Sequence, residues 1–401
     1  MSLKNNPFIK RSQHKHGAVP FDEIKLEHFT PALDYAIEES VRSLDLIKNS
    51  SDNPTFDNTV LPMENGTELL ETVASTYFNL MGAESDNTFK ELAQKISPKL
   101  SAFKNQVLLD SKLFERMKTL YEKMDGDNHT PEQQRLIEEK YTEFIHNGAL
   151  LSEIDKEKVR KIDEKLSKLS PKFSQNTLNA TNDFTYHTED KSELSGLPDM
   201  AIAQAAETAK QKKKDSGWMF TLQMPSYIPV MQFADNRKLR ETIFKARSRV
   251  SFGGKYDNQE IVKESSALRY EKAQILGFAD HAEYTLQKRM AGKTENVMNF
   301  LDRLYEVYHP AANRELDVMR ELANKDGIEE MQSWDAAYYA EKLKKQKFDF
   351  DQETLRAYFK VENVIAGIFK IAELMYGMQF QEINDVPVYH EEVRVFEVSD
   401  A

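Results

Sequence analysis

Between Leu33 and Ile47 the apolar residues are Leu33, Ile37, Val41, Leu44 and Ile47, at steps of four, four, three and three. That spacing lays all five on one face of an α-helix and scatters them over both faces of a strand. A chain that repeats it must bury helix stripes against one another. The repeat continues through Leu69, Val73, Tyr77 and Leu80, then Leu92, Ile96, Leu100, Phe103 and Val107, then Leu113, Met117, Leu120 and Met124. Leu136, Tyr141 and Ile145 follow, and Ser152 to Phe173 carries Val159, Ile162, Leu166, Leu169 and Phe173. Thr30-Pro31 and Thr130-Pro131-Glu132 read as N-caps with proline at the first helical position, Asp125-Gly126-Asp127-Asn128 as a turn and Gly148 as a stop. Pro98 is expected to kink or break its helix.

Residues 183–226 have a different texture. Asp183 to Thr188 and Trp218 to Leu222 are short, β-branched and aromatic, and bracket an Ala-rich helix near Asp199–Lys213. A small strand–helix–strand insert is expected there. Helical spacing resumes over Asn236–Val250, Asn258–Leu276, Asp280–Met290, Thr294–Ala323, Trp334–Lys345 and Asp351–Met375, and the chain turns extended from Gln379 to Val398. The run Val393 to Val398 is an edge strand or half of a hairpin; the reading adopted places its partner beyond Ala401. The fold class is therefore mainly α with a small β-containing insert.

Lys+Arg 54 against Asp+Glu 66 gives a net charge of −12, the wrong sign for neutralising phosphates. Nucleic acid and membrane are not expected partners. Cys 0 removes disulfides, thiolate catalysis and cysteine metal sites, and suits a reducing compartment, so a cytoplasmic location is expected. Apolar runs such as Val364 to Phe369 stop at about six residues against the ~20 that span a bilayer. Met1 to Pro7 has no apolar core of a secretory signal.

Several fragments of catalytic motifs fail on inspection. Gly292-Lys293-Thr294 has the tail of a P-loop, but Gln287 stands where its first glycine belongs, and a helix start explains Thr294. Gly253-Gly254 lacks the third glycine of a dinucleotide fingerprint. His281-Ala282-Glu283 lacks the cysteines of a zinc deaminase. Asp125, Asp127 and His129 alternate like a calcium loop, but Thr130 replaces its glycine. Lys212-Lys213-Lys214 reads as a solvated helix end, and His14-Lys15-His16 as a solvated arm. No Gly-x-Ser-x-Gly elbow occurs. No pair among the nine histidines has His-Glu-x-x-His spacing, and His390-Glu391 runs on to Arg394 in an extended segment.

Ordered phrases along the chain nevertheless form a set: Asn6-Pro7-Phe8, Phe21 to Ala32, Phe56-Asp57-Asn58-Thr59, Leu194-Ser195-Gly196-Leu197-Pro198, Pro225 to Met231 and Leu239-Arg240-Glu241. Leu268 to Ala273, Ile275 to Phe278, Trp334 to Glu341 and Pro387 to Glu397 complete it. In order and spacing this set resembles the thimet-oligopeptidase-like zinc metallopeptidases, the family of oligopeptidase A and dipeptidyl carboxypeptidase. Val388-Tyr389-His390 resembles the latter most.

The resemblance implies a two-lobed, neurolysin-like helical architecture whose channel admits short peptides. It implies zinc in the full-length enzyme, on a His-Glu-x-x-His helix beyond residue 401. On that reading the chain is an N-terminal portion, incomplete at the C-terminus, whose partners are short peptide substrates and the missing C-terminal catalytic region. No catalytic, cofactor-binding or metal residue is assigned, no metal is expected on this chain, and it is expected to be inactive alone. Residues 1–148 and 243–401 are expected to build one lobe, and the insert 149–242 to belong to the other. The alternative is a non-catalytic helical peptide-binding or scaffold protein complete at residue 401.

Overall fold

The computed structural model describes all residues except 1, 2, 11, 85, 127, 349–354, 356, 357 and 401. It is mainly helical. The elements run α1 (Leu26–Asn49), α2 (Leu61–Asn65), α3 (Glu68–Ala83), α4 (Asn87–Leu108), α5 (Ser111–Lys123), α6 (Pro131–Asn147), α7 (Glu153–Asp183), β1 (Thr185–Thr188), α8 (Asp199–Gln211) and β2 (Trp218–Thr221). Then follow α9 (Met224–Phe233), α10 (Arg237–Ser248), α11 (Gln259–Ile275), α12 (His281–Leu286), α13 (Thr294–Lys325), α14 (Ala336–Phe348), α15 (Val361–Tyr376), β3 (Gln379–Ile383) and β4 (Val395–Ser399). Two compact units result: residues 1–172, 268–279 and 361–401, and residues 173–267 and 280–360. No helix among the described residues is long and apolar enough to cross a membrane.

The first unit buries Phe29, Leu33, Tyr77, Ile96, Met117 and Phe144 in one core. α1 begins at Leu26, not after Thr30 as expected. The His28 ring supplies the cap, with Nδ1 accepting the Lys25 amide at 3.0 Å, and burial of His28 and Phe29 draws this turn into the helix. Pro131 does open α6 behind the Thr130 cap, and Gly148 ends it at φ 103°, where a side chain would be strained. α4 runs through Pro98 unbroken, because Ile96 and Phe103 on either side pack into the same core. Arg116, buried, donates to the carbonyls of Ser50 and Asp52 and to Asn58 and Thr59, which shapes the Phe56 to Thr59 phrase.

The expected helix over Asp351–Met375 is observed from Val361, its first part falling largely outside the described residues. The partner of the Val393–Val398 run is internal. β3 and β4 pair antiparallel, with Glu382 opposite Phe396, and Arg394 makes a two-pronged ion pair with Glu382 at 2.8 and 2.6 Å. Sequence reading missed this because a long connection, not a tight turn, joins the two strands.

In the second unit β1 and β2 pair antiparallel, Thr185 opposite Thr221, with α8 packed on them as expected. Phe220, Leu222, Val230, Leu239 and Ile243 form its core, and Tyr338, Tyr339 and Ala323 a smaller one.

Candidate functional site: an apolar groove beside a buried ion pair

The groove lies in the second unit, between α8 and α9. α9 lies outside the helical stretches expected from the sequence, and Pro225 and Pro229 both fall in it. Pro225 sits in the first turn, where no amide is needed. Pro229 is four residues on, so both rings share the groove face, while Val230 and Met231 anchor the helix on its buried side. The Ser226 hydroxyl accepts the Thr221 amide at 3.0 Å and ties α9 to β2.

Pro198, Met200, Met224, Ile228 and Phe359 line a cavity of about 840 Å³ with the side-chain amides of Gln204 and Gln232. Most of its wall is apolar. Such a groove suits an apolar side chain from an extended segment, with the two amides left for main-chain hydrogen bonds.

One end of α9 is held by a buried network. Arg240 and Asp335, 2% and 0% exposed, pair at 2.8 Å, and Arg237 meets the same carboxylate at 2.8 Å. Arg240 also donates to the Ala234 carbonyl at 2.6 Å, closing the end of α9, and its guanidinium lies 4.1 Å over the Tyr338 ring. Tyr338 donates to Asp235 at 2.8 Å, and Ser195 donates to the other oxygen of Asp235 at 2.6 Å. Gly196, at φ 84°, lies so close that a Cβ would meet the Phe233 carbonyl oxygen at 2.2 Å. Burial pushes the Asp335 carboxyl up, but Arg237, the Gln332 amide and Arg240 together hold it below the ordinary carboxylate value. Burial and the Asp235 hydrogen bond push Tyr338 up, and burial with Asp326 nearby pushes Tyr339 to about 12. The phrases Leu194 to Pro198, Pro225 to Met231, Leu239 to Glu241 and Trp334 to Glu341 thus meet in one place. They build an apolar groove and its support.

The histidines take other roles. His390 Nδ1 accepts the Glu392 amide, His16 pairs with Glu397 at 3.0 Å, and His309 stacks on Tyr305. Among the described residues no three His, Asp or Glu side chains gather where they could hold a metal ion. The donor set does not fit zinc, so no chemical step is derived through one.

Residues 230–401 match the model of peptidase family M3, and the chain is similar in sequence to proteins named oligopeptidase A and dipeptidyl carboxypeptidase. Among the particular proteins it resembles, oligopeptidase A of Salmonella typhimurium is 32% identical over 390 residues, 95% of this chain and 57% of the relative. Dipeptidyl carboxypeptidase of Escherichia coli is 30% identical over 398 residues, 98% of this chain and 58% of the relative. Saccharolysin of Saccharomyces cerevisiae is 27% identical, with 91% and 53% covered. The chain spans a little over half the length of these relatives.

Proposed function

We propose that the chain is part of a zinc metallopeptidase that hydrolyses short oligopeptides, releasing C-terminal dipeptides or cutting internally. The observation that carries this reading is the alignment with oligopeptidase A and dipeptidyl carboxypeptidase across 95% and 98% of the chain. The role assigned to this chain is to enclose and hold the peptide, with the Met200, Met224 and Ile228 groove taking an apolar side chain. Zinc is assigned to residues of a longer protein. The chain alone binds none in stoichiometric amount and does not turn over. A reducing cytoplasm suits a polypeptide with Cys 0.

The test is zinc content and cleavage of a quenched fluorescent oligopeptide, measured on the 401-residue chain and on the product of its whole reading frame. Neither is expected for the first and both for the second. Site-bound zinc with chelator-sensitive cleavage in the 401-residue chain would overturn the division of roles. A longer product that leaves the peptide intact would overturn the peptidase reading.

A further inference from the structure

A second groove, of about 610 Å³, lies in the first unit between α4 and α7. The helical repeat builds it. Ser101 and Asn105 on α4, and Glu157, Arg160 and Glu164 on α7, recur at steps of three and four, so each helix turns a row of polar side chains to the same space. Ala102, small and on the same wall, keeps that space open.

Most charges in the lining already have a fixed role. Asp110 caps α5, its Oδ1 accepting the Lys112 and Leu113 amides, and its Oδ2 accepts from Lys48 at 3.2 Å. Lys99 pairs with Asp34, and Glu164 with Lys168 at 2.6 Å. Glu157 alone serves two cations. One nitrogen of Arg160 meets it at 3.3 Å, and the Lys161 ammonium stands 3.8 Å away, beyond hydrogen-bond distance. The Nε and Nη2 of Arg160 make no hydrogen bond among the described residues. This wall therefore carries one positive charge in excess, with donors to spare.

Asn105 makes the independent case for a ligand. It lines the groove at 8% exposure, yet its carboxamide has no hydrogen-bond partner among the described residues, and neither has the Ser101 hydroxyl one turn before it. A buried carboxamide without a partner is held at a cost that an occupant of the groove removes.

We propose that this groove binds a small monocarboxylate with an amide beside its carboxylate, as an acylated amino acid or the C-terminal end of a peptide has. The carboxylate is taken by Arg160, whose planar fork matches it, and by Lys161. The Asn105 carboxamide donates to the ligand's carbonyl and accepts its N–H, a pairing that phosphate, which carries no N–H, does not offer. Asp110 and Glu164 in the same lining repel a multiply charged anion, so a single charge is favoured. The groove shares no residue with the α8–α9 groove, which belongs to the other unit, and the inference does not depend on hydrolysis.

The test is calorimetric titration of the 401-residue chain with N-acetylalanine, acetyl-trialanine, the methylamide of N-acetylalanine and inorganic phosphate. Saturable binding of N-acetylalanine is expected, with the methylamide and phosphate each weaker by about tenfold or more. Equal affinity for acetyl-trialanine assigns the site to peptide ends; loss of affinity with the longer chain assigns it to free acylated amino acids. Asn105→Leu and Arg160→Gln should each weaken N-acetylalanine by about tenfold, while the helical melt is kept. Lys161→Gln, at an exposed side chain, repeats the measurement should either variant fail to fold. Phosphate bound more tightly than N-acetylalanine, a methylamide bound equally well, or an Asn105→Leu chain of unchanged affinity would overturn the proposal. So would the absence of saturable binding at millimolar concentration, which would leave the groove to solvent.

Discussion

Asp335 joins two stretches of sequence that nothing in their spacing connects. Its carboxylate is fully buried between Arg240 and Arg237, so removing the charge leaves Arg240 buried without its counter-ion. Asp335→Asn is expected to destabilise the second unit by about 3–5 kcal/mol in urea unfolding, the cost of breaking a buried pair. The pH dependence has a definite sign. The folded pKa lies below the unfolded one, so this stabilisation is fully present above about pH 4 and is lost as pH falls through the folded value. Unfolding free energies measured from about pH 5 to pH 2 should therefore fall less steeply in the Asn variant than in the parent. Gly196 makes a second case. Ala there combines a left-handed backbone with a Cβ 2.2 Å from the Phe233 oxygen and should cost more than about 2 kcal/mol. Gly253→Ala, at φ 81° and ψ 173° with nothing within 4 Å, should cost about 1–3 kcal/mol in the same assay, from backbone strain alone. Neither role was legible in the sequence. Leu-Arg-Glu and Trp-Asp-Ala stood out as phrases, but that their charges meet in space is a tertiary fact.

Most helices were legible as elements, because a stripe such as Val159, Ile162 and Leu166 needs only local spacing to be recognised. The failures are at prolines and caps. α9 falls between the stretches with helical spacing; proline argues against a helix interior, and what overrides it there is nonlocal: Val230 and Met231 buried, with both rings on the open side. α1 was started too late because Thr30-Pro31 is a sound local signal that loses to burial of His28 and Phe29. The groove was illegible for the same reason as α9. Its function can be probed at exposed positions: Met224 and Ile228 are 47% and 41% exposed, so Met224→Glu and Ile228→Asp should each change stability by no more than about 0.5 kcal/mol. Each should weaken binding of a fluorescent peptide bearing a Leu or Phe side chain by about tenfold, since one lost apolar contact is worth about 1–3 kcal/mol. Unchanged affinity with an unchanged melt would remove the groove from the binding site.

Periodicity says which face of a helix is apolar and never what covers it. This limit governs the molecule as a whole. α13 has the same kind of stripe as α1, yet in α1 Leu33, Leu44 and Ile47 are 0%, 5% and 4% exposed, while in α13 Leu301, Leu304 and Tyr308 are 49%, 37% and 65% exposed. A sequence reader scores the two alike; only coordinates separate a buried face from a bare one. Bare apolar area on this scale costs about 25 cal/mol per Å² relative to burial, so the isolated chain is under constant drive to cover it. The 401-residue chain should accordingly bind an apolar dye such as anilinonaphthalene sulfonate while retaining full helical circular dichroism. Dye fluorescence no higher than that of a protein with fully buried helix stripes would mean that these faces are already covered in solution.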